Sequence, residues 1–572
     1  MKMSAGDFLR GLIRGAVIGG YLGFNFVMGK LADLVKAIFQ LDKDWITRAT
    51  MGMIVLSIIW GILGIIDAFM VRVQEFAWGV AQFLPLTPQE WYASVTLHGI
   101  RDLFGFAQQL ILAVFIYFTF RMLSIQPRAK WVFNLGFVLF NISFMFFEGP
   151  IIVTQQQGFD NYFSATGWYY LAPIGIPGYS LYVVSPFWYI AWLLLDAGIY
   201  LMTGWYVYHF YLASKGRNEK LPIFLVFGLV VAILMLESYS GEVVTTLWDL
   251  LAFYKLVGYN VIADQISFVT LWHGIVYIAW FPAVAAMYLL IPTLAGKPLY
   301  SEKLARVSAV LYLIFSTGPL GIHHLYMVNL PPEVKVLVEV LTEGIVVPSM
   351  MTFFNLFATV KGANIKWNLL AAWTVLSFAG SIYGGVMGIS NSVISFDSLS
   401  HEGYYIVSHF HAMILFSIVP AGFATLYLML PMMTQRSWYS AKMAWAHFWG
   451  YLIGTIMVIV GFSELGVSGL IRKEEIYPLS PAFVDGQVLA TIGAAIADIA
   501  TIVWLVNVVL TLVKGRVSYG ESVSLGEVTN SLVMAFSGDY DIVSNGVIKG
   551  FNLVKSELEK IGIAHRVSRP AS

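Results

Sequence analysis

The chain has no cysteine among its 572 residues. That absence excludes disulfides, thiolate zinc sites, iron–sulfur clusters and a cysteine-ligated dinuclear copper centre, and it leaves histidine to carry any borderline metal. Charge is also scarce. Only 12% of residues are Asp, Glu, Lys or Arg, and the 33 basic residues match the 33 acidic ones, which argues against nucleic acid as a partner. What remains is apolar. Hydrophobic residues make up 58% of the chain and mean hydropathy is +0.75, the composition of a polytopic membrane protein. Residues 1–40 are basic and apolar by turns, with no apolar core followed by a small-residue cleavage site, so no cleavable signal peptide is expected.

Apolar runs long enough to span a bilayer occur about twelve times. They fall near 50–72, 93–120, 130–150, 182–210, 221–238, 266–293, 304–325, 335–360, 367–390, 403–431, 443–470 and 487–513. The expected fold is an all-α bundle of about twelve transmembrane helices. It divides into an N-terminal basic and amphipathic segment (1–44), a core (45–513) and a polar tail (514–572) with an amphipathic stretch at Val547–Ile561. Phe8–Met28 suits either an extra span or an interfacial helix. Basic residues cluster in alternate loops, at Arg121, Arg128 and Lys130, then Lys215, Arg217 and Lys220, then Lys297, Lys303 and Arg306, and again at Lys361, Lys366, Arg436, Lys442, Lys514 and Arg516. The intervening loops are acidic or neutral, with Glu148 and Asp160 and then Glu237, Glu242 and Asp249. The positive-inside rule therefore predicts that both termini are cytoplasmic.

This topology assigns a depth to every histidine. His98 lies inside the outer end of the second span, His273 near the start of the sixth, His323 and His324 at the end of the seventh, and His409 and His411 at the start of the tenth. Six of the ten histidines thus share the outer part of the membrane. His401 is nearby in an outer loop, whereas His209, His447 and His565 fall on the cytoplasmic side. A lone histidine in lipid is more often a polar residue satisfied by its neighbours, but six at one depth call for ligands. His409 and His411 sit one residue apart, so on a helix their side chains leave about 200° apart and can serve two different metals. His323 and His324 can converge at a fraying helix end with His273 as a third ligand, a set that suits redox copper and could also hold zinc. His98 and His411 can pair on a six-coordinate haem, and His409 can hold a five-coordinate one open to a gas.

The motifs TLHG, H-x-x-V-Y, HH after STGPLG, and SHFH closely resemble subunit I of the haem–copper oxygen reductases, specifically their B-type branch, over about Trp45–Leu512. The resemblance implies a terminal oxidase core that reduces dioxygen to water and conserves the energy as a proton gradient. It implies two haems and one copper ion: a low-spin haem on His98 and His411, a high-spin haem on His409, and copper on His273, His323 and His324. Tyr277 is implied to be joined covalently to His273 and to supply an electron and a proton when the O–O bond breaks. Where A-type members carry HPEVY, this chain has Gly274 and Ile275, so the proton channel that ends on that glutamate is expected to be missing. The paired arginines that contact haem propionates appear as Arg472 and Lys473, and an ammonium cannot reproduce a bidentate guanidinium.

By the same resemblance Tyr288, Ser349, Thr352 and Asn355 form a proton path with Tyr277. Tyr288 lies about 22 Å deeper than His273 at helical rise. Without the resemblance, such hydroxyls read as helix-packing or back-bonded residues. Asp397 and His401 resemble the carboxylate and histidine where a pumped proton is loaded, with a solvated loop pair as the alternative. Glu343 and Glu464 are intramembrane carboxylates without a matching role. Expected partners are dioxygen, the lipid bilayer, a separate electron-entry subunit of the subunit II type and small membrane subunits, in the plasma membrane of a prokaryote. The ultimate donor is cytochrome c, a blue copper protein or a quinol. Two other functions fit less well: a nitric oxide reductase on the same scaffold, which Tyr277 argues against, and a non-redox proton-coupled transporter, which would be colourless.

Overall fold

Backbone polar groups inside lipid must be satisfied within the crossing segment, so an apolar chain of this kind crosses as helices. The computed structural model describes residues 32–157, 175–179, 185–365 and 367–517, together with Gly29. Phe8–Met28, Asp160, Lys366 and Val547–Ile561 lie outside the described residues. Eleven helices are long and apolar enough to span a membrane, and the bent pair Glu302–Phe315 and Gly318–Leu325 raises the number to 12. In chain order they are α1 (Trp45–Ala81), α2 (Pro88–Met122), α3 (Lys130–Gln157), α4 (Phe187–Ser214), α5 (Ile223–Phe253), α6 (Val261–Ala295), α7 (Glu302–Phe315), α8 (Pro332–Val360), α9 (Leu369–Ser392), α10 (Tyr404–Thr434), α11 (Ala441–Val467) and α12 (Pro481–Lys514). Each apolar run in the sequence corresponds to one of them. Isolated bridges such as Gly403 with Ile471 are the extended pairings among the described residues.

Polar residues at the ends mark where the spans begin. Asp44 caps α1 by accepting from the amides of Ile46 and Thr47 at 3.0 and 3.3 Å. Thr87 and Glu90 form a capping box at α2, and Ser440 and Ser480 cap α11 and α12. Each such cap contributes about 1 kcal/mol by satisfying amides that the helix leaves open.

Small residues then let helices approach. A Cβ on Gly454 of α11 would stand 2.5 Å from the Gly493 carbonyl oxygen of α12, and one on Gly461 would stand 2.6 Å from that of Gly486. Two glycine pairs spaced by the same seven residues thus interlock this pair of helices.

Two departures from regular α-helix have no simple pattern in the sequence. A π-helical segment, Ile100–Gln108, begins two residues after His98, and another, Met413–Ile418, begins two residues after His411. Such bulges shift the register of everything beyond them and occur often at functional sites. The third departure is the 3-10 helix Gly318–Leu325, bent 54° from α7, which carries His323 and His324.

Candidate metal and redox site

One cavity of about 740 Å³ runs through the bundle, and His98, His273, His323, His324, His409 and His411 all line it. Its size and apolar walls suit bulky cofactors.

The tightest cluster lies where the 3-10 helix meets α6. Ligand atoms of His273, His323 and His324 lie within 4.8 Å of one another, the one group of this kind among the described residues. Gly321 permits the approach, since a Cβ there would stand 2.5 Å from the His273 Cβ. His323 Nδ1 is 2.8 Å from the Leu320 carbonyl oxygen, so it carries the hydrogen and leaves Nε2 as the ligand atom. The Thr342 hydroxyl sits 3.0 Å from the same Nδ1 and fixes the ring from α8. His273 is 1% exposed and its Nε2 has no hydrogen-bond partner. A buried imidazole nitrogen left in that state is costly unless something binds it.

His409 and His411 leave opposite faces of α10, as their spacing predicts. His409 lies within electrostatic reach of His323 and His324, and the Gly384 backbone of α9 stands beside its ring. Gly388 of α9 makes room for its ring, since a Cβ there would stand 3.0 Å from His409 Cε1. On the other face the rings of His411 and His98 oppose each other, with centroids 6.4 Å apart and planes 19° from parallel. That separation leaves space for an ion bound by a nitrogen from each side, at about 2 Å per bond. His411 Nδ1 donates to the Val407 carbonyl at 2.8 Å. His98 Nδ1 faces two acceptors, Asp102 Oδ2 at 2.8 Å and the Gly64 carbonyl at 3.2 Å. In both rings Nε2 is therefore the free ligand atom.

Tyr277 follows His273 by one helical turn, and its ring centroid lies 4.8 Å from that imidazole in an edge-on arrangement. The expected hydroxyl row is partly assembled. Tyr288 donates to Thr352 Oγ1 at 3.3 Å. Ser349 accepts at 3.4 Å from Tyr312, a residue the sequence reading missed. Tyr312 lies within electrostatic reach of both Tyr277 and Tyr288 and contacts Trp280 and Phe281, so it stands between the two ends of the row. Asn355 joins the row at Tyr288, with which it shares a side-chain hydrogen bond, and it also anchors a neighbouring helix. Its Oδ1 accepts from the Ser301 amide at 2.9 Å and its Nδ2 donates to the Ser301 carbonyl at 2.8 Å, which pins the start of α7 to α8.

Asp397 and His401 are no solvated pair. Asp397 is 3% exposed, its Oδ2 accepts from His401 Nδ1 at 2.8 Å, and both residues line the cavity. Arg472 and Lys473 line it too, with Arg472 Nε donating to Glu402 Oε2 at 3.1 Å. Lys473 lies in the loop between α11 and α12, where burial and the adjacent Arg472 charge push its ammonium down to about 6. Glu343 reaches the cavity wall, while Glu464 lies half-buried on α11.

Two further groups went unnoticed in the sequence. Arg72 and Glu75 of α1 form a buried ion pair beside Tyr404 and Gln487, and the Arg72 guanidinium lies 5.2 Å from the Phe462 ring that packs on His411. Asp102 backs His98, and the only signal was its i, i+4 spacing.

The comparisons with known proteins agree with this geometry. Residues 48–496 match the family described as Cytochrome C and Quinol oxidase polypeptide I. Among curated relatives, Cytochrome c oxidase polypeptide 1 of Halobacterium salinarum is 26% identical over 497 residues, covering 80% of this chain and 78% of its own. Cytochrome c oxidase subunit 1 of Thermus thermophilus is 26% identical, covering 74% of this chain and 77% of its own. Quinol oxidase subunit 1 of Sulfolobus acidocaldarius is 27% identical, covering 76% and 84%. In fold, the chain is similar to a cryo-EM structure of a heme-copper terminal oxidase dimer, with a TM-score of 0.69 at 17% identity over 86% of this chain and 90% of that one. The chain therefore belongs to the Cytochrome C and Quinol oxidase polypeptide I family, as the core catalytic subunit of a haem–copper terminal oxidase.

Proposed function

We propose that this chain is a B-type, proton-translocating oxygen reductase subunit with two haems and one copper ion. The observation that carries the reading is the convergence of His273, His323 and His324 within 4.8 Å, beside Tyr277 and across one cavity from His409. The residues fit the groups. Copper would be held by those three imidazoles, a high-spin haem by His409, and a low-spin haem by His98 and His411. When bound, these groups pass electrons one at a time from the donor and bind and reduce dioxygen. The protein's own part is to hold the rings of His98, His323 and His411 by Nδ1, keep the site dry, and deliver protons.

Protons reach Tyr277 from the cytoplasmic side along Asn355, Tyr288, Thr352, Tyr312 and Ser349, with Ile275 standing where the A-type branch has its channel glutamate. Asp397 and His401 take up the pumped proton beyond the haems, and Arg472 and Lys473 face the haem propionates. Both termini lie in the cytoplasm of a prokaryote, with residues 45–513 as the catalytic core, residues 1–44 preceding it and residues 514–572 as a cytoplasmic tail. Electrons enter through a separate subunit of the subunit II type, beside small membrane subunits. A nitric oxide reductase would need carboxylates around its second metal, whereas the metal-competent group among the described residues is made of histidines alone.

Metal analysis and reduced-minus-oxidised spectra with and without carbon monoxide test the assignment. Two irons and one copper per chain are expected, and one iron, or no copper, refutes it. His411→Ala should abolish the low-spin spectrum while carbon monoxide still binds the other haem. Loss of carbon monoxide binding alone would reverse the two faces of α10.

A further inference from the structure

The two histidines that face each other across the cavity are backed unequally. His411 Nδ1 donates to a neutral backbone carbonyl, that of Val407, at 2.8 Å. His98 Nδ1 donates to a carboxylate, Asp102 Oδ2, at 2.8 Å. The fold makes room for this contact, because a Cβ on Gly64 of α1 would collide with the Asp102 carboxyl group. The cation next to Asp102 in the chain is engaged elsewhere: Arg101 pairs with Asp67 and, at 2.8 Å, with Glu148. Asp67 and Asp498 are further carboxyl groups within electrostatic reach of the pair.

We propose that Asp102 is a positioning residue that fixes the ring of His98 and lowers the reduction potential of the low-spin centre. The inference rests on the reading that His98 would hold that centre. A carboxylate that accepts from the far nitrogen of a metal-bound imidazole fixes the tautomer and makes the ring a stronger electron donor. It also places a negative charge behind the ligand in a medium of low dielectric. One electron moves onto the iron on reduction and no bond of the protein changes. The oxidised iron carries the extra positive charge, so Asp102 stabilises it more than the reduced form. The low-spin centre thereby becomes the stronger reductant, which favours onward transfer to the oxygen-binding site. His411, backed by an amide carbonyl, makes no comparable contribution.

Asp102→Asn keeps an acceptor oxygen for His98 Nδ1 and removes only the charge. In the purified, fully loaded enzyme, a spectroelectrochemical titration should show the low-spin absorption unchanged in shape. Its midpoint should rise by at least a tenfold change in the electron equilibrium, about 59 mV for a one-electron couple. An unchanged midpoint with intact low-spin absorption overturns the proposal and leaves Asp102 a packing residue. Should Asp102→Asn fail to assemble the centre, Asp102→Ser decides the question. A hydroxyl leaves an acceptor on the side chain and removes the charge, so the midpoint must again rise, and an unshifted value overturns the inference. A His98→Ala variant that keeps its low-spin spectrum would instead refute the ligand assignment itself, so the two failures are separable.

Discussion

Replacing Tyr277 by Phe removes one oxygen atom and, with it, the expected covalent link to His273. The ring is held by His273 at 4.8 Å, Phe281 at 5.5 Å and Trp280 at 6.5 Å between centroids, contacts that Phe can also make. The packing change is therefore small, and the stability cost should not exceed the roughly 0.5–1.5 kcal/mol of one lost hydrogen bond. The chemical cost should be much larger. A positioned proton donor contributes about 10²–10⁴-fold to a rate, and at about 1.36 kcal/mol per decade this raises the barrier by roughly 2.7–5.4 kcal/mol. Oxygen-electrode turnover should fall by that factor while optical spectra and metal content stay at wild-type values. In the wild-type enzyme, mass spectrometry should find the Tyr277 peptide linked to that of His273. Turnover within about threefold of wild type in a fully loaded Tyr277→Phe variant, far inside the 10²-fold minimum, would refute the role and reopen the nitric oxide reductase reading.

Thr352→Val keeps the shape of the side chain but takes away the acceptor that Tyr288 uses at 3.3 Å, so turnover should slow with the haem spectra unchanged. Normal turnover would remove Thr352 from the proton route. Asp397→Asn or His401→Ala should lower the proton-to-electron ratio in reconstituted vesicles more than oxygen consumption, because the pair is buried on the cavity wall and off the input line. Unchanged ratios in both variants would end that assignment.

The spans and the gathering of six histidines around one cavity were legible because both follow from one-dimensional quantities. An apolar run has a length, and a bilayer converts that length and the loop charges into depth. The opposite faces of His409 and His411 followed from helical pitch in the same way. The approach of His273 to His323 and His324 was only partly legible. It depends on a 54° bend into a 3-10 helix and on Gly321 packing against His273, neither of which a periodicity contains. Tyr312 was missed because a tyrosine in a membrane helix carries no mark of which neighbour it meets, and the bond from Asn355 to Ser301 was missed because it crosses between helices.

Asp102 shows where local reading stops. Its spacing from His98 is that of ordinary helical neighbours, and charged residues one turn apart usually form solvated pairs of little consequence. What changes its meaning is tertiary. Arg101, the cation that would otherwise neutralise it, is drawn away to Asp67 on α1 and Glu148 on α3, and Gly64 opens the space that the carboxylate fills. Three helices must meet before a carboxylate on α2 becomes the sole charged group hydrogen-bonded to His98 Nδ1 among the described residues. The electronic character proposed for His98 is therefore set by contacts that the motif around it does not encode, even where the motif picks out the histidine itself.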